Sequence, residues 1–497
     1  MMVQVEHGNI TEVDADTLIV NLFEGVTAPG GATGAVDRAL DGAISEIIAM
    51  GDNKGKPGET IVLYPRGNIT SKRVIVVGLG KQSEFSIEKI RLAASKAMKR
   101  ARSMNAKIVA TIVHGGGIGG IPIETAAQAT VEGSLLASYQ IKSNVVEGES
   151  TNDNIGLTLI EVDERKIEPI DKGARTAEAI VRGVYLTRDL VNMPPNVATP
   201  TMMSTVANEI AASSGMNVLI GDRKWANEHK MGAYLAVANG AGEPPKFVIL
   251  EHNIDRDDLP TLVLVGKGIT FDTGGISLKP VAKMGEMKSD MAGAAVVLGV
   301  MQAVGELNLP LRVIGIAPCT ENMPDAHAYR PADVITASNG KKIEIISTDA
   351  EGRMVLADAL VYADRYRPDA VIDLATLTGS CVIALGEGIA AGVFSNDEVL
   401  SDRLVASGNV TFERVWPLPL WDDYKNAIKS DVADVKNSGG KFGGVGTSAI
   451  FLKEFTNYKW AHLDIAGMAL SEKAMGYIPK GATGFGVRLL VDLLRNW

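Results

Sequence analysis

Leu262 to Val265, Leu311 to Ile316 and Ala370 to Leu374 are short apolar runs bounded by Gly, Pro or charge. A strand with one wet face alternates apolar and polar residues, so runs of this kind belong to strands covered on both faces, as in a largely parallel sheet. Between them, Ala292 to Leu307 and Met354 to Tyr366 have the length and spacing of helices. The first part of the chain repeats this alternation. Thr17 to Asn21, Arg73 to Gly78 and Lys107 to Val113 read as strands, and Ile87 to Met104 as a helix. At 497 residues the chain exceeds what one core usually serves, which also points to more than one α/β domain. The polar stretch Val146 to Asn154 reads as a loop, and the boundary falls between it and Lys172. A helix from Ala174 to Leu190 then opens the second part and stops before Met193-Pro194-Pro195-Asn196, because residues preceding proline disfavour the α region.

The formal charge of −10 is spread along the chain with no run of five or six like charges, so nucleic acid is not indicated as a partner. The opening Met-Met-Val-Gln-Val-Glu-His lacks a cationic region followed by an apolar core, and no uninterrupted apolar segment reaches the roughly 18 residues of a membrane span. The expectation is a soluble cytoplasmic protein without a membrane partner. Cys319 and Cys381 are too few for a disulfide framework and too far apart for a CxxC motif, and read as buried thiols. The six histidines stand singly, without HExxH spacing, so any metal must be held mainly by oxygen.

Such oxygen donors are concentrated in three segments. Ser347-Thr348-Asp349-Ala350-Glu351-Gly352-Arg353 places two carboxylates and a guanidinium where a loop should turn into a helix. Upstream, Gly266 to Lys279 carries Lys267, Asp272 and Lys279, and Met287-Lys288-Ser289-Asp290 adds a further acid. Sites in open α/β sheets form outside the carboxyl ends of strands, and the Lys267 and Leu377 loops each follow an expected strand directly. Asp272, Asp290, Asp349 and Glu351 would balance two divalent cations, whereas burying them without cations would be costly. Asp349 and Glu351, two apart in an extended segment, would point to one side. Asp290 stands ahead of a helix whose first residues, Ala292-Gly293-Ala294-Ala295, are small enough to let backbone approach a crowded site. Taken one at a time, these acids read more simply as helix caps or surface charges; it is the cluster that points to a hydrolytic metal site.

Ser347 to Met354 is similar to the NTDAEGRL signature of the leucyl aminopeptidases, or cytosol aminopeptidases, and Val265 to Asp290 resembles their lysine- and aspartate-bearing loop. Arg188-Asp189-Leu190-Val191-Asn192, Trp416-Pro417-Leu418-Pro419-Leu420-Trp421 and Trp460-Ala461-His462-Leu463-Asp464-Ile465-Ala466-Gly467 match further landmarks, over about residues 170 to 497. The resemblance implies an α/β fold of two domains. A smaller N-terminal α/β (macro-like) domain would span residues 1–165, and a larger α/β catalytic domain with a mostly parallel central sheet residues 166–497.

The implied activity is removal of N-terminal residues, leucine-like ones preferred, from peptides. Lys267, Asp272, Asp290 and Glu351 would hold one divalent metal, and Asp272, Asp349 and Glu351 the other. The metals would be zinc or manganese, with magnesium or cobalt also suited to such donors. Lys267 would have to lose its proton to serve as a ligand; its other role is a salt bridge to one of the acids. Lys279 would stabilise the oxyanion, and Arg353 would hold a bicarbonate base with the backbone at Leu377 beside it. Met287, Thr376 and Gly379 match positions of an apolar side-chain pocket, although Met287 would serve equally as core. Peptides are the implied substrates, and a homohexamer the implied assembly. Ser347 departs from the family's usual Asn and removes an amide from the edge of the site.

Two further readings stay open. His114-Gly115-Gly116-Gly117-Ile118-Gly119-Gly120 formally satisfies GxGxxG, but the nearest acids after it, Glu124 and Glu132, lie in the following helix. A glycine-rich turn without ligand is the plainer account. Hard cations on carboxylates also suit phosphoester hydrolysis, against which stand the single oxyanion partner Lys279 and the apolar pocket.

Overall fold

The computed structural model describes residues 2–116, 120–141 and 155–497. The expected loop from Val146 to Asn154 and residues 117–119 of the glycine-rich run lie outside them. Two compact units emerge, Met1–Val181 with Lys473–Pro479, and Arg182–Glu472 with Lys480–Trp497. The division falls inside one long helix, Ile167–Asn192, which starts seven residues earlier than its periodicity suggests and stops before Pro194.

The first unit is built on six strands, β1 (Met2–His7), β2 (Thr17–Phe23), β3 (Thr60–Leu63), β4 (Arg73–Gly80), β5 (Ile108–Thr111) and β6 (Gly156–Glu161). Their order is β1-β6-β5-β2-β4-β3, with every pair parallel except β3 with β4. Leu18, Val20 and Leu22 of β2 pack with Val74, Val76, Val36 and Ile44 in the core beneath. The helix Ile87–Ser103 is capped by Ser86, whose hydroxyl accepts from Lys89 N. Packing accounts for Gly115 of the glycine-rich run, since a Cβ there would stand 2.2 Å from the Phe85 ring. Asn21, Phe23, Ile112 and Glu161, at or just beyond the ends of β2, β5 and β6, border a cleft of about 570 Å³. Glu161 is an acid at the end of the strand that follows, but its carboxylate already accepts from Asp163 N and faces Lys166 Nζ at 3.9 Å.

The second unit carries β7 (Asn217–Gly221), β8 (Lys246–His252), β9 (Thr261–Gly266), β10 (Gly268–Asp272), β11 (Arg312–Asn322), β12 (Val334–Thr336), β13 (Lys342–Glu344), β14 (Ala370–Ala375), β15 (Ala391–Ser395), β16 (Val415–Pro417), β17 (Val435–Lys436) and β18 (Trp460–Asp464). The main sheet runs β16-β15-β18-β14-β9-β11-β8-β7, with β10 paired to β11. Its centre, β18-β14-β9-β11, is parallel and buried at almost every residue, as the apolar runs require. Beside it, β12, β13 and β17 form a small sheet.

Two local expectations are corrected. The chain after β9 is not simply a loop, because Gly268–Asp272 forms β10 along the second half of β11 while β9 pairs with the first half. Lys267 sits at the break between them. Nor is the segment from Asp349 to Glu351 extended: Asp349 lies in a turn and Glu351 is the first residue of the helix Glu351–Ala363. The stretch Met284–Leu307 is long and apolar enough to cross a bilayer, but 78% of its most apolar window is buried within the fold, the signature of a core helix.

Candidate metal centre

Every proposed ligand comes from the carboxyl-end side of the parallel strands. At the break between β9 and β10, Lys267 N donates to Leu374 O of β14 (3.0 Å), and Lys267 O accepts from Ala294 N of the helix Ala292–Leu307 (2.8 Å). This three-way junction needs Gly293, where a Cβ would meet Leu374 O at 2.2 Å and Lys267 N at 2.8 Å. It also needs Gly352, whose Cβ would meet Lys267 Cε at 2.4 Å. The small residues just after Asp290 and Glu351 thus let three elements converge on one lysine.

Asp272 ends β10. Its Oδ1 accepts from Gly274 N and from Asn322 Nδ2, both at 2.8 Å. Gly274 turns the chain with φ +88°, a conformation that side chains rarely adopt. Thr348 then stitches this turn to the Asp349 segment: its hydroxyl donates to Gly274 O (2.6 Å) and accepts from Ser277 N (2.8 Å). Ser347, the departure from the signature, is used locally, with Oγ accepting from Asp349 N at 3.2 Å. Asn437 supplies an amide to the same strip, donating to Ser347 O at 2.7 Å.

The side chains meet as two ion-pair sets. Lys267 Nζ lies 2.7 Å from Asp290 Oδ2 and 2.8 Å from Glu351 Oε1, and Lys279 Nζ lies 2.7 Å from Asp272 Oδ2 and 2.5 Å from Asp349 Oδ1. Asp272, Asp290 and Glu351 are buried, and each offers a carboxylate oxygen within 4.8 Å of the others. Burial, and then the neighbouring Glu351, raise Asp272 above the ordinary carboxylate range; Asp290 is raised further, chiefly by burial. Burial also raises Asp349. For Lys267, burial would lower the pKa, but Asp290, Glu351 and Asp272 outweigh it and raise the ammonium above its usual value. Lys267 therefore forms the salt bridge that its neighbours alone would favour.

Glu351 Oε2 has no hydrogen-bond partner, and Asp290 Oδ2, although close to Lys267 Nζ, lies outside hydrogen-bond geometry. Three buried acids that converge, two of them with an oxygen lacking a hydrogen-bond partner, are a donor set that hard cations fit. Arg353 is buried, donates from Nη1 to Asn437 O (2.7 Å) and leaves Nε without a partner. Burial pushes it down to about 10, which still leaves it charged at neutral pH.

Of the expected pocket residues, Thr376 is tied directly to this cluster. Its hydroxyl donates to Asp290 Oδ1 (2.7 Å) and its carbonyl accepts from Lys267 Nζ (3.2 Å). Leu377 N donates to Asp464 Oδ1 at 3.3 Å. Met287 is half-buried in the 3₁₀ turn Met284–Ser289, and Gly379 begins the helix Gly379–Leu385 with open space around it. Sequence reasoning missed Asn322, Asn437 and Asp464, which belong to no ligand motif and gain their roles only through strand register.

A model of the cytosol aminopeptidase family catalytic domain matches residues 185–491, and one of that family's N-terminal domain matches residues 19–144. A probable cytosol aminopeptidase of Roseiflexus castenholzii is 42% identical over 100% of this chain and 99% of its own. Another, from a Geobacter species, is 42% identical over 100% of both chains. Among solved structures, a mutant of tomato leucine aminopeptidase superposes with a TM-score of 0.86 at 34% identity, covering 100% of this chain and 97% of its own. The bottromycin maturation enzyme BotP in complex with Mn gives 0.84 at 32%, covering 97% and 99%. With both domains matched and full-length relatives above 40% identity, the chain belongs to the cytosol aminopeptidase family and is a metal-dependent aminopeptidase.

Proposed function

We propose that this enzyme is a two-metal exopeptidase that removes leucine-like N-terminal residues from peptides. The observation that carries the reading is the buried triad Asp272, Asp290 and Glu351, whose oxygens converge within 4.8 Å beside Asp349 and two lysines. Asp272, Asp290 and Glu351 would hold one cation, joined by Lys267 once a bound dication displaces its proton, and Asp272, Asp349 and Glu351 the other; that the similar enzyme BotP has been solved in complex with Mn supports a metal at such a site. When bound, such a pair would provide a hydroxide nucleophile near neutral pH and polarise the scissile carbonyl. Zinc and manganese are the metals we favour, with magnesium and cobalt compatible with the same donors.

The chain's own groups supply the rest. The Lys279 ammonium lies 2.7 Å from Asp272 Oδ2 and 2.5 Å from Asp349 Oδ1, at the edge of the same cluster. Once cations neutralise its carboxylate partners, that ammonium is free to turn to a developing oxyanion. Arg353 offers an unpaired Nε in a buried setting, suited to a planar anion such as bicarbonate, which the backbone at Leu377 would help to hold. Thr376, Met287 and Gly379 would shape the side-chain pocket.

The test compares leucine amide, N-acetyl-leucine amide and a phosphomonoester as substrates of the metal-loaded enzyme. Cleavage of the free-amine substrate alone is expected; turnover of the acetylated amide or the phosphomonoester at a similar rate contradicts the reading.

A further inference from the structure

We propose that Asp464 is a positioning residue that sets which N-terminal side chains the enzyme accepts, by fixing loop 376–379 against the metal centre. The inference rests on the aminopeptidase and pocket readings above and extends them to a residue outside the ligand set.

Register brings Asp464 to this place. β14 and β18 are parallel, with Asp373 opposite His462 and Ala375 opposite Asp464, so Asp464 stands level with the last residue before the loop begins. Asp373 holds that register by accepting from Trp460 Nε1 and pairing with His462 Nδ1, each at 2.6 Å. Asp464, itself 1% exposed, gathers four donors on one carboxylate. Its Oδ1 accepts from Leu377 N (3.3 Å), Thr378 N (3.4 Å) and Ala466 N (3.2 Å), and its Oδ2 from the Thr378 hydroxyl (2.6 Å). Thr378 Oγ1 in turn accepts from Cys381 N (3.0 Å), capping the helix that Gly379 begins.

A buried carboxylate contributes little net stability compared with apolar packing of the same volume, and what the hydrogen bonds of Asp464 define is the position of the loop. Here the position specified is that of a loop with two functional ends. At one end, Thr376 contacts Asp290 and Lys267; at the other, Gly379 stands at the proposed pocket. Asp464 is not among the proposed ligands; its charge reaches Arg353, while its hydrogen bonds run to the loop and to Ala466. It acts through the loop.

The experiment measures kcat and KM for leucine and alanine 4-nitroanilides with wild type, Asp464→Ala, Thr378→Val and Thr378→Ser, with metal content and thermal melts for each. Asp464→Ala and Thr378→Val are expected to bind metal and to lower the leucine-to-alanine ratio of kcat/KM by about tenfold, the scale on which hydrophobic pockets discriminate by size. Most of the change should appear in KM for leucine. Thr378→Ser, which keeps the hydroxyl, should restore the wild-type ratio. A merely structural role would lower the active fraction and leave the ratio between substrates unchanged.

An unchanged ratio in folded, metal-loaded variants overturns the assignment, as does failure of both Asp464→Ala and Thr378→Val to fold. A wild type inactive on both anilides instead brings down the aminopeptidase reading on which the inference rests, so the two failures are told apart.

Discussion

Lys279 and Glu351 have different tasks, and single substitutions separate them. Lys279→Ala should keep its metal and lose about 10²–10³-fold in kcat, the usual scale for an oxyanion donor, as read by steady-state kinetics with metal analysis alongside. Glu351→Gln should lose metal affinity by more than the roughly 10–100-fold that outer-sphere partners command, measured by competition with a chelator. His114 reports on the first unit alone. Burial holds its pKa down at about 4 from the ordinary 6.5, and Asn21 Nδ2 lies 3.2 Å from its Nδ1. The unfolded chain takes up this proton below about 6.5, whereas the folded chain does so only below about 4, so stability present above pH 6.5 is lost progressively as pH falls to 4. At about 1.4 kcal/mol per unit the loss is about 3 kcal/mol, and urea melts of His114→Gln at pH 7 and pH 5 should show a flatter dependence than wild type. At this scale the candidate ligands were legible, because acids, lysines and glycines crowd three short segments. Asn322 and Asn437 were not, and Asp464 stood in a matched landmark without a role, since an amide or acid near a strand end shows its task only when its neighbours in space are known.

The element that decides the geometry is the break at Lys267. Gly293→Val would drive a side chain into Leu374 O and Lys267 N, with contacts already 2.2 and 2.8 Å at the Cβ. It is expected to cost at least about 1–3 kcal/mol in denaturant unfolding, as overpacking does, and to abolish activity at temperatures where the fold survives. The central strands were legible because parallel strands buried on both faces leave unbroken apolar runs, and β9 and β14 fall within a residue or two of those runs. Strand β10 escaped notice because Gly268, Thr270 and Asp272 resemble a loop; what makes it a strand is the long β11 beside it, a tertiary effect that overrides local preference. The turn at Asp349 was hidden for a related reason. Its shape comes from Thr348, which bonds to a segment more than seventy residues earlier.

Taken as a whole, the molecule has an N-terminal α/β unit and a catalytic unit whose candidate metal centre gathers near the carboxyl ends of parallel strands. In the catalytic unit, Val281, Ile383, Trp416, Trp421 and Phe442 are exposed in the single chain, apolar side chains that an interface could cover. We propose a hexamer on this ground and on the family resemblance; light scattering should give six times the chain mass, and a monomer at working concentration would refute it. The account depends most on two cations held by converging acids. Its most direct test is titration of chelator-stripped enzyme with manganese or zinc while leucine amide hydrolysis is followed. The account predicts negligible hydrolysis without metal and full recovery as the second ion per chain binds. Undiminished hydrolysis by the metal-free protein would contradict it.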